Sequence, residues 1–372
     1  MTELSVGRRR FLRLHRNPAI GWDLPEGHHD DPAEASGRAA LTARYLAHAL
    51  SRDSATAGWI RRHRLTGESS EFSFWSPESG PDGLLTEAIA RVDENPPPAL
   101  LRALVTAQLA QARTQRNNPL VTMFRSVESA AWGDSPDGVL GDQQSLDEAS
   151  GPGFAGHLRR CFAAGKPVGA STPAAGAAAQ AVWRGDVVTI DRPGEQCRLI
   201  MAFRLAAEVD DAACVALLAQ LLDGSEGLLY RRLRIEAGLV YGTVAVAKDD
   251  GRPRTLIIGC SLLREGLPMV IEAFRLCVDE IDSGHLDRDA LGVAAGRVAD
   301  RMLTKLDEPF GALDDKRRRL GGGESIGLLA ERVPAAVARL AVTPRLDAAF
   351  RPAIGYVGPV DDAVAGLLGR LR

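Results

Sequence analysis

The sequence predicts an α+β protein built from two similar halves, each an antiparallel sheet covered by helices. Strand-like and helix-like runs fall in separate blocks instead of alternating, the pattern of antiparallel sheets with segregated helices. The order strand, helix, strand, helix pair, closing strand occurs twice along the chain. A length of 372 residues suits two domains of roughly 150–200 residues. The halves are expected at residues 1–185 and 195–372. The polar stretch from Gly185 to Gln196, with Pro193-Gly194 inside it, is expected to link them.

In the first half, residues 9–14 and 19–24 read as paired strands, residues 37–50 as a helix, and 71–75 as a short alternating strand. A long helix runs from Ala99 to about Arg116 and stops at Asn117-Asn118-Pro119. The stretch 133–156 is rich in turn residues and reads as loop. In the second half, Leu199, Met201, Phe203 and Leu205 fall on one face of a strand. Asp210 and Asp211 can cap a helix over 212–222 that is apolar nearly all round, so it should be buried. A turn at Gly224–Gly227 leads to a helix ending at Glu236, with Gly238 as its C′ residue. Residues 239–247 and 254–262 read as a hairpin about Asp249-Asp250-Gly251. An amphipathic helix follows, with Val270, Phe274, Cys277, Val278 and Ile281 on one stripe. The next carries Leu291, Ala294, Val298 and Met302. Past Pro309 and Gly321-Gly322-Gly323, a helix near 333–341 and a strand over 354–358 close the chain.

Composition narrows the functional classes. The chain is 45% hydrophobic and 25% charged, with net charge -3, so no basic surplus exists for nucleic acid. The runs Arg8-Arg9-Arg10 and Lys316-Arg317-Arg318-Arg319 read as solvated surface. Cys161, Cys197, Cys214, Cys260 and Cys277 are odd in number and lack C-x-x-C spacing, which indicates buried reduced thiols. No run of about 20 apolar residues is present to span a membrane. A soluble, cytoplasmic protein is expected.

The most specific stretch is Leu221-Leu-Asp-Gly-Ser-Glu-Gly-Leu-Leu-Tyr-Arg-Arg-Leu-Arg234, followed by Gly238-Leu-Val-Tyr241-Gly. An Arg at a helix end and a Tyr at the start of the next strand can converge across a glycine turn. A guanidinium and a phenol there would suit an oxygen that gains negative charge. Taken alone, such a pair is more often surface and core. The stretch resembles the second-domain signature of the insulinase/pitrilysin-type metallopeptidases, and the likeness extends over the second half of the chain. The resemblance implies that Arg234 and Tyr241 hold the substrate carbonyl in a catalytic chamber. Gly224 and Ser225 occupy the place of the glycine-rich substrate loop of some non-catalytic relatives, although a plain turn suits them equally.

The departures from that family matter as much. Its catalytic members bind zinc through H-x-x-E-H on the first-domain helix and a downstream Glu. Here that helix reads Gly37-Arg-Ala-Ala-Leu-Thr-Ala-Arg44-Tyr-Leu-Ala-His48, and the downstream position falls in Gln108-Leu-Ala-Gln111. Amides and alanines cannot replace those ligands. His28-His29-Asp30-Asp31 is dense in ligand types but reads as a solvated loop. His15, His48, His63, His157 and His285 are scattered. No stoichiometric metal is therefore expected in this chain. The resemblance implies a zinc-free, substrate-binding subunit of a heterodimeric peptidase, with zinc in a homologous H-x-x-E-H partner. Substrates would be short or unfolded peptides or leader segments. A non-enzymatic scaffold or peptide-binding relative is the alternative.

Overall fold

The computed structural model describes residues 19–66, 69–76, 82–134, 139–168, 182–224, 227–248, 252–284, 286–320, 322–340 and 344–371. The expected strand over 9–14, the turn at Asp249-Asp250-Gly251, Ser225, His15, His285 and the Arg8-Arg9-Arg10 run lie outside them.

The first sheet contains β1 (Ile20–Leu24), β2 (Ile60–Leu65), β3 (Ser70–Trp75) and β4 (Lys166–Pro167), in the order β2-β3-β1-β4. Its pairs are antiparallel, with Ile20 opposite Phe74 and Ile60 opposite Trp75. β2 carries Arg61, Arg62, His63 and Arg64 and has no buried residue. It is an edge strand, where charge blunts edge-to-edge pairing, and so it shows no alternation to read. α1 (Arg38–Arg52) lies against this sheet. Leu46 and Leu50 join Trp22, Leu24, Phe72 and Phe74 on the sheet side. Leu41 and Tyr45 join a second layer made by α3 (Pro98–Asn117), α5 (Gln143–Ala149) and α6 (Phe154–Ala164). α2 (Asp82–Ala90) closes the sheet-side core through Leu85, Ala88 and Ile89. α1 is thus buried on both sides. α5 and the start of α6 occupy the stretch expected to be loop.

The second sheet runs β5-β9-β6-β8-β7, formed by β5 (Val187–Asp191), β6 (Gln196–Arg204), β7 (Val240–Lys248), β8 (Thr255–Leu263) and β9 (Ala353–Gly358). β5 pairs in parallel with β9 and the other pairs are antiparallel. The stretch expected to link the halves, 185–196, thus contains a strand, residues 187–191. Its Val-Val-Thr-Ile run is β-branched, but the flanking Gly185 and Pro193-Gly194 read as linker. α7 (Ala212–Leu222) is buried as expected, between this sheet and α10 (Arg288–Asp307) with α12 (Ile326–Arg339). Asp211 Oδ1 caps it, accepting from Cys214 N at 2.8 Å. α8 (Leu228–Tyr230), α9 (Leu267–Ser283) and α13 (Asp362–Gly369) complete that layer. Leu199, Met201 and Phe203 face this core, as their spacing predicts.

The opposite face of β6 is buried too, by a helix from the first half. α4 (Pro119–Trp132) starts directly after α3, with Asn118 Oδ1 accepting from Leu120 N at 3.0 Å. Pro119 thus opens a helix as well as ending one. Met123, Val127, Ala130 and Ala131 of α4 rest on Ile200, Ala202, Ile257 and Ala353 of the second sheet. The approach is close: a Cβ on Gly355 would lie 2.1 Å from Ser126 Oγ and 2.7 Å from Val127 N.

The second half returns a helix to the first sheet. α11 (Gly311–Leu320) carries the basic run, in which Lys316 and Arg319 are exposed as expected but the Arg317 side chain is only 9% exposed. Arg317 donates to Asp23 Oδ1 at 2.6 Å, Ser73 Oγ at 2.7 Å and the Phe72 carbonyl at 2.6 Å. Lys316 Nζ reaches the Val168 carbonyl at 2.8 Å, and Arg62 of β2 pairs with Asp314. Burial raises the Asp23 carboxyl pKa, and Arg317 offsets part of that rise. No described helix is long and apolar enough to cross a membrane.

Removing Arg317 leaves Asp23 desolvated without its cation. Arg317→Ala is expected to lower unfolding free energy by about 3 kcal/mol. Arg64→Ala, which breaks the open Arg64–Glu71 pair, should cost less than about 1 kcal/mol. Equal small effects in urea titration would show that α11 is not anchored through Arg317.

Candidate functional site

Arg234 and Tyr241 are presented by two neighbouring irregularities in the backbone. α7 ends at Leu222, and Gly224 takes a left-handed conformation with φ +81°. Gly227 N donates to the Gly224 carbonyl at 3.0 Å. A Cβ on Gly227 would lie 2.3 Å from the Leu222 carbonyl oxygen, so glycine is needed for the turn itself. α8 follows and widens at once into a π-helical turn, Arg231–Glu236. Leu229 and Leu233, both fully buried, hold this segment to the core. Arg232 pairs with Glu280 on α9. The widening leaves Arg234 and Ile235 on the outside, and Ile235 is 66% exposed. Single π-turns interrupt regular helical hydrogen bonding and are frequent at functional sites.

Gly238, at φ +65°, reverses the chain into β7. The β7–β8 register then slips: Val240 faces Leu262 but Gly242 faces Ser261. Tyr241 is the extra residue of this bulge and is 52% exposed. Bulges of this kind re-aim a side chain and end local pairing. Arg234 Nη1 donates to the Val240 carbonyl at 2.8 Å, which fixes the guanidinium beside the Tyr241 backbone. The structure therefore brings the expected pair to one corner of the second sheet. The guanidinium keeps its remaining N–H donors for a ligand, and the phenol adds one. Such a corner can hold a carbonyl oxygen or an oxyanion.

The helix α1 offers different chemistry. Arg44 donates to Gln111 Oε1 on α3. Gln108 Nε2 donates to the Gly37 and Leu140 carbonyls, at 2.9 and 2.8 Å. Burial pulls the Arg44 pKa down from its ordinary value. A permanent cation paired with an amide does not fit a zinc ion at this place. The His28–Asp31 cluster is not a plain solvated loop either. Asp31 accepts from Gly37 N and Ala39 N, each at 2.9 Å, and so caps α1. His29 Nε2 lies 3.1 Å from Arg252 Nη2. Arg252 also donates to both Asp134 oxygens, at 2.7 and 3.1 Å. A guanidinium beside the imidazole leaves no metal-like donor set there.

Glu26, His157 and Cys161 place one ligand atom each within 4.8 Å of one another. The spacing of four between His157 and Cys161 was visible in the sequence. Glu26, far away along the chain, was not.

A profile of the family described as "Peptidase M16 inactive domain" matches residues 162–294, which include Arg234 and Tyr241. Solved structures of the same architecture cover nearly the whole chain. A Peptidase M16 inactive domain from Pseudomonas fluorescens is 18% identical, with TM-score 0.64 and 92% of each chain covered. A chain of complex III from Candida albicans is 13% identical, with TM-score 0.70, covering 95% of this chain and 94% of that one. A putative M16-like peptidase from Alicyclobacillus acidocaldarius is also 13% identical, with TM-score 0.62 and coverage of 92% and 93%. At these identities the likeness establishes the fold: α+β halves of the M16, insulinase/pitrilysin-like, kind. No curated protein sequence matches significantly.

If the corner exists to present side chains, removing them should barely affect folding. Arg234→Ala and Tyr241→Phe are each expected to change unfolding free energy by less than about 1 kcal/mol. Gly238→Ala, forced into the left-handed region, should cost about 1–2 kcal/mol. Losses above about 2 kcal/mol for the Arg and Tyr variants would identify a structural clamp.

Proposed function

We propose that this chain is the zinc-free, substrate-gripping subunit of a two-subunit cytoplasmic metallopeptidase. The carrying observation is the pairing of a presented Arg234–Tyr241 corner with Arg44 of α1 and Gln111 of α3 standing where ligands would be needed. In this reading a homologous H-x-x-E-H subunit contributes the metal, which polarises the scissile carbonyl and activates water. The present chain supplies position and charge. β7 is the outer strand of its sheet, so an extended peptide can add to it through main-chain hydrogen bonds. Tyr241 stands at the start of that strand. As the carbonyl carbon is attacked, its oxygen gains negative charge. Arg234 and the Tyr241 hydroxyl then donate to an oxygen more basic than the ground-state carbonyl, which is the differential binding that accelerates reaction. The substrates that suit such a grip are short or unfolded peptides, leader segments among them.

A second reading has its own support, the likeness to a chain of complex III. Built into an assembly, the same fold would act as a scaffold and the corner would be idle. Turnover separates the two. Arg234→Ala or Tyr241→Phe, mixed with the zinc-bearing partner and shown by size to form the complex, should cut kcat about 100- to 1000-fold at saturating peptide. Turnover near wild type in both variants would remove the gripping role and leave the scaffold.

A further inference from the structure

α4 covers only part of the sheet face on which it rests. Ile200, Ala202 and Ile257 lie under it. One step before Ile200 on the same face, Arg198 of β6 stands opposite Ser261 of β8. Ser261 in turn stands opposite Gly242 of β7. Strand residues two apart share a face, so these three make one row across the sheet that ends beside Tyr241. Arg198 and Ser261 are half-buried. A Cβ on Gly242 would meet nothing within 4 Å, so the row is uncovered where it reaches the outer strand. It also carries an uncompensated charge. Among the described residues no carboxylate acts on Arg198, and the cation that does is Arg192. Arg192 is itself held by neutral acceptors, the Arg116 carbonyl and, at 3.4 Å, Thr122 Oγ1. Burial first, and then the Arg192 field, pulls the Arg198 pKa below its ordinary value. A half-buried guanidinium facing another guanidinium is a cost that an incoming carboxylate relieves.

We propose that Arg198, with Arg192 behind it, binds the side-chain carboxylate of a glutamate in the substrate, so that the peptides gripped here are acidic ones. This rests on the gripping role, in which an extended peptide adds to β7. A peptide residue paired with Gly242 would point its side chain to the same face, over the bare glycine and toward Ser261. Neighbouring strands lie about 4.8 Å apart, so about 14 Å separates that residue's backbone from the backbone of Arg198. An extended glutamate and an extended arginine together span this distance. Aspartate, one methylene shorter, falls short. The Ser261 hydroxyl, lying between them, can donate to the same carboxylate. Because Tyr241 directly precedes Gly242, the acidic residue sits close to the scissile carbonyl. Arg198 thus sets specificity, while Arg234 and Tyr241 serve the reacting oxygen.

The test measures binding to the full-length chain by fluorescence anisotropy, which needs neither a partner nor turnover. The probes are short fluorescein-labelled peptides of serine, threonine and valine with one central glutamate, glutamine or aspartate. The glutamate peptide is expected to bind about 10- to 100-fold more tightly than the other two. That preference should shrink as salt rises and disappear in Arg198→Met, which keeps the apolar stem and loses the charge, with circular dichroism unchanged. Equal affinities, no detectable binding, or a preference that survives either high salt or Arg198→Met overturns the proposal. The gripping role is judged apart from this, by turnover of the glutamine peptide with the zinc-bearing partner, which Arg234→Ala should lower whether or not glutamate is preferred.

Discussion

Each half of the chain lends a helix to the other half's sheet, and the placement of every other group depends on that exchange. α4 leaves the first half to bury one face of β6, β8 and β9. α11 leaves the second half to bond to β1 and β3 through Arg317. The two contacts differ in physics. α4 docks by apolar burial and needs Gly355 to let two backbones approach. Its contribution grows with the apolar area removed from water. α11 docks through a desolvated guanidinium that satisfies a carboxylate, a hydroxyl and a backbone carbonyl together. Such a contact adds little net attraction, but it penalises any arrangement that leaves Asp23 unpaired. One contact supplies affinity between the halves and the other supplies register.

Within that frame the Arg234–Tyr241 corner is a local departure from regular structure. A π-turn, a left-handed glycine and a β-bulge follow one another between Arg231 and Gly242. Each weakens regular backbone pairing, and buried Leu229 and Leu233 beneath them offset the loss. Local strain of this kind persists only where surrounding packing over-determines it. Between α1 and α3, by contrast, side chains are tied to one another, as Arg44 of α1 is to Gln111 of α3. At that face Gln108 is likewise tied to two backbone carbonyls, whereas Arg234 and Tyr241 are presented outward. The proposed division of labour between two subunits rests on that contrast.

The sequence made some of this legible and concealed the rest for identifiable reasons. β6, α7, α9 and α10 follow from periodicity because each buries a defined apolar face. β2 lies at a sheet edge and carries too little apolar pattern to be seen. β5, Val-Val-Thr-Ile-Asp, was obscured by the Gly185 and Pro193-Gly194 that flank it. α4 was hidden by Asn118-Pro119, which can end one helix and begin the next. The Lys316–Arg319 run looked solvated because nothing in a linear charge pattern reveals a buried acceptor such as Asp23. Arg234 and Tyr241 were legible through their spacing and the surrounding resemblance, but the π-turn and bulge that present them were not. Cys161 and His157 were read one at a time, as a buried thiol and a scattered imidazole. Their meeting with Glu26 is a product of tertiary structure alone.

The claim at the centre of this account is that Tyr241 faces a metal held by another subunit. Fluorotyrosine placed at position 241 makes that geometry measurable by fluorine NMR. The partner is loaded with cobalt before mixing, and a zinc-loaded partner serves as the reference. The account predicts that the resonance shifts and broadens in the cobalt complex and does neither in the zinc complex. A fully formed complex in which the cobalt leaves the resonance unchanged would contradict it.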